Sequence, residues 1–377
     1  MNPEAPEHSP ARYHGQVAYI YAFDLAYEMR REPIEQVLGR TAESYAIGPG
    51  KRGPKYYMFY RPQRVDLPPW ERRVHGRPVE IRLQVKLFSI GAMSIRVCVP
   101  FEDASISDLV AYHDLELDGA SLEQEVAALA EQLRQALLPH CIRPVERLRV
   151  DEAYTVFCLH GLPAEGSVQA PRAEDWLAAH RREVAGLLTQ EEDAALLSDQ
   201  EASESTGHYL SYYDSDLVVP DWDAALVVHA PEGLDEILHV MELANVQLAE
   251  LAAYDLLLDG AVDAAYRDMR QRARSRTTVR RGLREIRIDM ARLADELGNI
   301  TKFFGDWHLA RIYQQLSERF HLSDWQRTVE EKSHTLEELY EILERERSNL
   351  WMVVLEATIV GLFVLDVVLL LLSIGSH

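Results

Sequence analysis

Leu350-Trp351-Met352-Val353-Val354-Leu355-Glu356-Ala357-Thr358-Ile359-Val360-Gly361-Leu362-Phe363-Val364-Leu365-Asp366-Val367-Val368-Leu369-Leu370-Leu371-Leu372 is the stretch on which the fold reading turns. It is apolar apart from two acids, and only Ser373 to His377 follow. A bilayer crossing needs roughly 20 apolar residues. The stretch therefore predicts a single C-terminal transmembrane helix, residues 350–373, acting as a tail anchor. Lys332, Arg345 and Arg347 precede it and no Lys or Arg follows, which keeps the N-terminal side cytoplasmic. Trp351 sits where an amphipathic ring suits the headgroup layer. The first ten residues are acidic and Pro-rich, unlike a signal or transit peptide. A bacterial inner membrane is the expected location.

The rest of the chain reads as water-soluble. Its 377 residues carry 61 acids against 39 bases, a formal net charge of -22. Such a body is not drawn as a whole to nucleic acid or anionic lipid. Cys98, Cys141 and Cys158 have no paired spacing and sit in or beside apolar segments, which fits buried thiols in a reducing compartment. No metal site and no cofactor are expected.

Upstream of the helices, apolar or alternating runs at 17–23, 55–60, 79–87, 92–99 and 154–159 read as strands, with Ser89-Ile90-Gly91 as a hairpin turn. Ser121 followed by 123–138 reads as a helix punctuated by Pro139 and Pro144. A charged helix over 173–188, an acid-rich loop over 191–205 and strands at 209–213 and 224–228 complete this part. Strands with interspersed helices predict an α+β domain with a mostly antiparallel sheet, residues 1–232.

From 233 to 349 the reading is helical. Leu283, Ile286, Met290, Leu293, Leu297, Ile300 and Phe304 alternate steps of three and four, the seam of a coiled coil. Leu336, Leu339 and Leu343 open a second seam after Ser323 and Gln326, which read as a capping box. A long antiparallel helical hairpin is expected, its second arm running into the membrane anchor.

The C-terminal half resembles the "required for meiotic nuclear division" family of membrane-anchored proteins. The likeness rests on Leu355-Glu356, the apolar run after it, and an acid ten residues on at Asp366. Trp307-His308-Leu309-Ala310-Arg311-Ile312-Tyr313, Arg319-Phe320 and Trp325 are similar to that family's helical region. The run from Val85 to Ala92 is similar to its strand-Gly-strand element. Asp366 stands where the family usually has Glu, and Ala357 where an aromatic is common. The resemblance implies a non-enzymatic membrane protein, linked in mitochondrial members to support of organelle translation.

Glu356 and Asp366 are the leading candidate residues. Ten helical positions leave them about 80° apart around the axis. Ala357 and Gly361 form a small-xxx-small pair that permits close helix approach. The four predict tail–tail assembly into a homo-oligomer, with a channel-like pore lined by both acids as the alternative. Residues 267–287 hold nine arginines against Asp268 and Glu285. Arg267, Arg270, Arg274, Arg281 and Arg284 share one helical face and are candidates for an anionic partner: ribosome or RNA, anionic lipid, or the acidic body itself. The turn over 48–55 fails as a phosphate loop because Pro54 follows Gly53. Asp214, Asp216, Asp221 and Asp223 lack EF-hand spacing and read as turn residues. Enzyme motifs such as HExxH and GxSxG are absent. The expected function is a non-enzymatic, membrane-tethered oligomeric scaffold or adaptor, with a ribosome or RNA tether as a further alternative.

Overall fold

Eight strands form one sheet: β1 (Tyr13–Asp24), β2 (Glu43–Ser44), β3 (Gln63–Val74), β4 (Arg77–Leu87), β5 (Ala92–Ala104), β6 (Glu152–Leu159), β7 (Leu217–Pro220) and β8 (Ala224–Val228). Their spatial order is β7-β8-β6-β1-β5-β4-β3-β2. Neighbours are antiparallel except for the parallel pair of β6 and β8. The computed structural model describes residues 11–30, 32–45, 62–148, 152–163, 171–271 and 306–374.

The central strands are rich in β-branched and aromatic residues, which pack well on a pleated surface. In β1, Val17, Tyr19, Tyr21 and Phe23 alternate with Gln16, Ala18, Ile20 and Ala22, and all eight are buried. A strand buried on both faces needs cover on both. Register aligns Ala18 with Cys98, Ile20 with Arg96 and Ala22 with Ser94, so these pairs share a face. Across the next pairing, Gln84 stands opposite Arg96 and Lys86 opposite Ser94. The β4–β5 hairpin turns through Gly91 at φ +102, a conformation that favours glycine. Its carbonyl accepts from the amides of Leu25 and Ala26 at 3.0 and 3.2 Å.

The first face carries the apolar core. Val17, Tyr19, Leu83, Val85, Ile95, Val97 and Phe157 form one cluster with residues of four helices: α1 (Ile106–Val110), α2 (Leu122–Leu137), α3 (Ala173–Ala179) and α4 (Arg181–Thr189). Helix α2 begins at Ser121, whose side chain accepts from the amide of Gln124, and buries Val126, Ala130, Leu133 and Leu137. Each of the Val and Leu side chains contributes roughly 1.5–3 kcal/mol when fully buried. The reading of one helix over 173–188 resolves into two, broken at His180, and the acid-rich stretch contains the helix α5 (Asp199–Thr206).

Helix α6 (Pro231–Gln271) covers the second face, and α7 (Trp307–Arg319) packs beside it. Pro231 opens α6, where its fixed φ suits a first turn. Asn245 of α6 donates to the carbonyls of Ile20 and Glu152 at 3.3 and 3.4 Å. Tyr313 of α7 donates to Gln247 of α6, and the ring of Phe320 meets Tyr154 edge-on at 5.0 Å. The last helix is α8 (Leu322–Ile374). It starts after His321, whose φ of +50 turns the chain, so Ser323 lies inside the first turn instead of capping it.

Two compact units result. One joins Met1–Ala253 with Glu296–Trp325, the other Tyr254–Asp295 with Gln326–His377. In the second unit Lys332 of α8 bridges Asp255 and Asp259 of α6 at 2.7 and 2.6 Å, and Leu258, Val329 and Leu336 are buried.

Several expectations from the sequence are overturned here. No long helical hairpin is evident among the described residues. The reason is the sheet's second face, which bears charged side chains and recruits α6, up to Ala253, together with α7 as its cover. No described helix is long and apolar enough to cross a membrane. This overturns the transmembrane tail anchor at 350–373, the membrane-protein assignment and the single-pass inner-membrane location. The stretch is the end of a continuous 53-residue helix rather than a separate segment. Its described apolar part, 352–365, is interrupted by Glu356 and measures about 21 Å at 1.5 Å per residue, short of a hydrocarbon core of about 30 Å. The coiled-coil seam from Leu283 to Phe304 lies outside the described residues.

Candidate functional site

Charged groups are concentrated where α6 crosses the second face of the sheet. Lys86 of β4 and Arg96 of β5 project from neighbouring strands. Asp235, His239 and Glu242 face them from α6, at the i, i+4, i+7 spacing that places three side chains on one side of a helix. Lys86 has no solvent exposure, Glu242 is 1% exposed and His239 2%.

The contacts are specific. The Lys86 ammonium donates to Oε2 of Glu242 and lies 3.0 Å from Nδ1 of His239. Arg96 donates through Nη2 to Asp235 and to the side-chain oxygen of Gln84, and its Nε lies 3.5 Å from Oε1 of Glu242. Tyr45 closes the group: its hydroxyl donates to Asp235 at 2.9 Å, and its ring lies 4.2 Å from the Lys86 nitrogen and 4.7 Å from the His239 ring.

Protonation states follow from these neighbours. Burial above all lowers Lys86, to about 8, with Glu242 opposing the shift and Arg96 adding to it. Burial pushes Glu242 upward, but Lys86 and Arg96 more than offset this and hold its carboxyl well below the usual range. His239 falls to about 4, through burial first and then the charge of Lys86. At neutral pH the group is thus an ammonium, a guanidinium, two carboxylates and a neutral imidazole. An ammonium can only donate, so Nδ1 of His239 accepts and Nε2 carries the ring proton. Buried charges of this kind are tolerated only when paired and hydrogen-bonded.

A cavity of about 300 Å³ adjoins the cluster. Arg96, Gln84 and Gln16 line its buried side, Arg64, Arg82 and Glu80 its strands, and Pro231 and Asp235 its helix side. Arg64 is closed off by Asp66, with Nε 3.0 Å from both carboxylate oxygens. Among the described residues there is no group of three or more His, Cys, Asp or Glu side chains placed to hold a metal.

The residues singled out from the sequence lie elsewhere. Glu356, Ala357 and Gly361 sit on the exposed part of α8, and Asp366 lies farther along it with a side chain outside the described ones. Arg267 is exposed near the end of α6. Arg270 also lies on α6, with a side chain outside those described, and Arg274, Arg281 and Arg284 fall outside the described residues. The turn over 48–55 is likewise outside them. Asp216 is a turn residue: its Oδ1 accepts from the amides of Tyr212 and Tyr213 at 2.7 and 3.0 Å. Cys98, Cys141 and Cys158 are buried free thiols.

Sequence reasoning missed Lys86, Arg96, Asp235, His239 and Glu242. Two signals were present. Arg82, Gln84, Lys86 and Arg96 interrupt strongly strand-like runs, and Asp235, His239 and Glu242 repeat at helical spacing. Neither signal tells which strand face meets which helix.

A family model described as "Uncharacterized protein MJ0711, N-terminal domain" matches residues 14–235. That span holds Lys86, Arg96 and Asp235 and stops just short of His239 and Glu242. A similar curated protein is "Uncharacterized protein MJ0711" of Methanocaldococcus jannaschii, 21% identical over 248 residues, or 64% of this chain and 74% of the relative. No solved structure matches.

Proposed function

We propose that this chain, which belongs to the MJ0711 N-terminal domain family, is a non-enzymatic scaffold that assembles into homo-oligomers through the apolar end of α8. One observation carries the reading. Ten large apolar residues between 352 and 365, among them Leu355, Ile359, Leu362 and Phe363, are each 54–71% exposed. Isolated exposed apolar side chains are ordinary, but a contiguous patch marks an interaction surface.

Successive helical residues are 100° apart, so this stretch is apolar on every side. A helix hydrophobic all round is one that other elements bury. A single partner covers one side, whereas a bundle of several copies covers all of them. Ala357 and Gly361, one turn apart, let two backbones approach closely. Glu356, exposed in one chain, meets partners able to hydrogen-bond it only where copies align. The sheet unit would then be displayed in several copies, and multivalency would raise the avidity of any contact it makes.

The test is the mass of the full chain in mild detergent, measured by light scattering beside a chain ending at Ser348. A closed oligomer of more than two copies that falls to monomer on shortening supports the proposal. A monomeric full chain, or an oligomer that survives the shortening, rejects α8 as the assembly element.

A further inference from the structure

The apolar end of α8 carries a charge that no neighbour on that helix balances. Glu356 is exposed, and it is the one charged residue between 352 and 365. Met352, Val353, Ile359 and Val360, one turn to either side of it, are each 57–61% exposed. The other polar side chain in the stretch is Thr358, whose hydroxyl already donates to the carbonyl of Val354 at 2.7 Å. From Ser348 to Ser376 the sequence holds no Lys, Arg or His. Arg347, the nearest base along the chain, lies nine residues from Glu356, roughly 14 Å at 1.5 Å per residue.

What faces Glu356 in an assembly follows from the sequence. Two copies bury their apolar stretches against each other in one of two directions. Running parallel, Glu356 stands level with Glu356 of the next copy. Running antiparallel, the stretch 350–372 overlaps itself most completely about its midpoint, Gly361, which sets Glu356 level with Asp366. A Cβ on Gly361 would meet nothing within 4 Å, so its backbone is open to a close neighbour. In both directions acid meets acid, with no base in the stretch to separate them.

We propose, resting on the reading of α8 as the assembly element, that its self-association is gated by protons: copies join when facing carboxyl groups share a proton and part when both are ionised. An ionised carboxylate shut in an apolar bundle without a partner is costly. Two ionised carboxylates held together also repel, which favours a proton on one of them. That proton forms a charge-assisted O–H···O bond between the two groups, which no unprotonated pair can make. Assembly therefore takes up at least about one proton per facing pair, and acid favours it by mass action.

The full chain in mild detergent is diluted at about pH 7.5 and about pH 6, with mass read by light scattering. Both values lie above the isoelectric point of about 5.1, near which falling net charge favours association of any kind. Wild type is expected to reach half-assembly at a concentration at least about tenfold lower at the more acid pH. Glu356→Gln with Asp366→Asn keeps the shape of both side chains without charge. That chain is expected to assemble at the lower concentration at both pH values. Leu362→Glu with Phe363→Glu is expected to stay monomeric at both. Equal half-assembly of wild type at the two pH values, or a pH response that the double amide keeps, overturns proton gating and leaves α8 standing as the assembly element. Association of Leu362→Glu with Phe363→Glu at about pH 6 assigns the response to bulk charge and also overturns gating. Monomers throughout, the double amide included, reject α8 assembly itself and this inference with it.

Discussion

Lys86 shows how a single position governs the second face of the sheet. Its ammonium has no exposure to water and relies on Glu242, His239 and the face of Tyr45. Removing one partner of a buried pair strands the other charge, at a cost of about 3–5 kcal/mol. Glu242→Gln is therefore expected to lower unfolding free energy by about that much in urea titrations. The double change Lys86→Met with Glu242→Leu is expected to cost less than the single one, because no uncompensated ammonium remains. His239 makes a separate prediction. Its ring stays neutral down to about pH 4 when folded, whereas an unfolded histidine takes up a proton near 6.5. Between these values the unfolded chain binds more protons, so stability falls as pH drops, by up to about 1.4 kcal/mol per pH unit from this group. His239→Gln keeps an acceptor for Lys86 and is expected to reduce the slope between pH 6.5 and 5, to which the lowered His113, His160 and His308 also contribute. In that window Asp235 and Glu242, whose carboxyls are held below their ordinary values, stay ionised in the folded chain. An unchanged slope would remove His239 as its source.

At the scale of elements, the β4–β5 hairpin is the tightest constraint. A Cβ on Gly91 would lie 1.7 Å from the carbonyl oxygen of Ala26, and φ there is +102. Gly91→Ala is expected to cost about 3 kcal/mol or more, read as a lowered melting temperature or loss of soluble protein. The turn itself was legible in Ser89-Ile90-Gly91. Its docking against Leu25 and Ala26 was not, because that contact joins positions more than sixty residues apart. Helix α2 was legible for a local reason, the Ser121 side chain meeting the amide of Gln124. Helix α6 differs: its apolar and polar positions are both buried, so no amphipathic pattern announces which side meets the sheet.

For the whole molecule, the two units make separate demands. The sheet unit has its own core and its own charge cluster. The exposed end of α8 has no comparable cover among the described residues of its unit. Replacing Leu362 and Phe363 together by Glu is expected to disperse the proposed oligomer, because charge in a helix bundle interior is costly. The melting transition of the sheet unit is expected to stay within about 0.5 kcal/mol of wild type, as for distant, independent sites. Calorimetry beside light scattering checks both. A parallel loss of sheet stability would show that assembly and the fold of that unit are coupled.

Taken alone, the sequence determined the local features: apolar strand runs, the turn at Gly91, the cap at Ser121, the buried thiols and helical structure over 350–372. Each depends on neighbours close along the chain, where propensity and periodicity act. Only the tertiary structure decided how the alternating residues of β4 and β5 are used. Arg82, Gln84, Lys86 and Arg96 carry the pattern of a solvent-facing strand side, yet Gln84, Lys86 and Arg96 are buried beneath α6. A strand's period tells which residues share a face, but not whether water or a helix will cover it. Here that was settled by Asp235, His239 and Glu242, 139 to 156 residues away, whose carboxylates and imidazole acceptor complement the cations of the sheet.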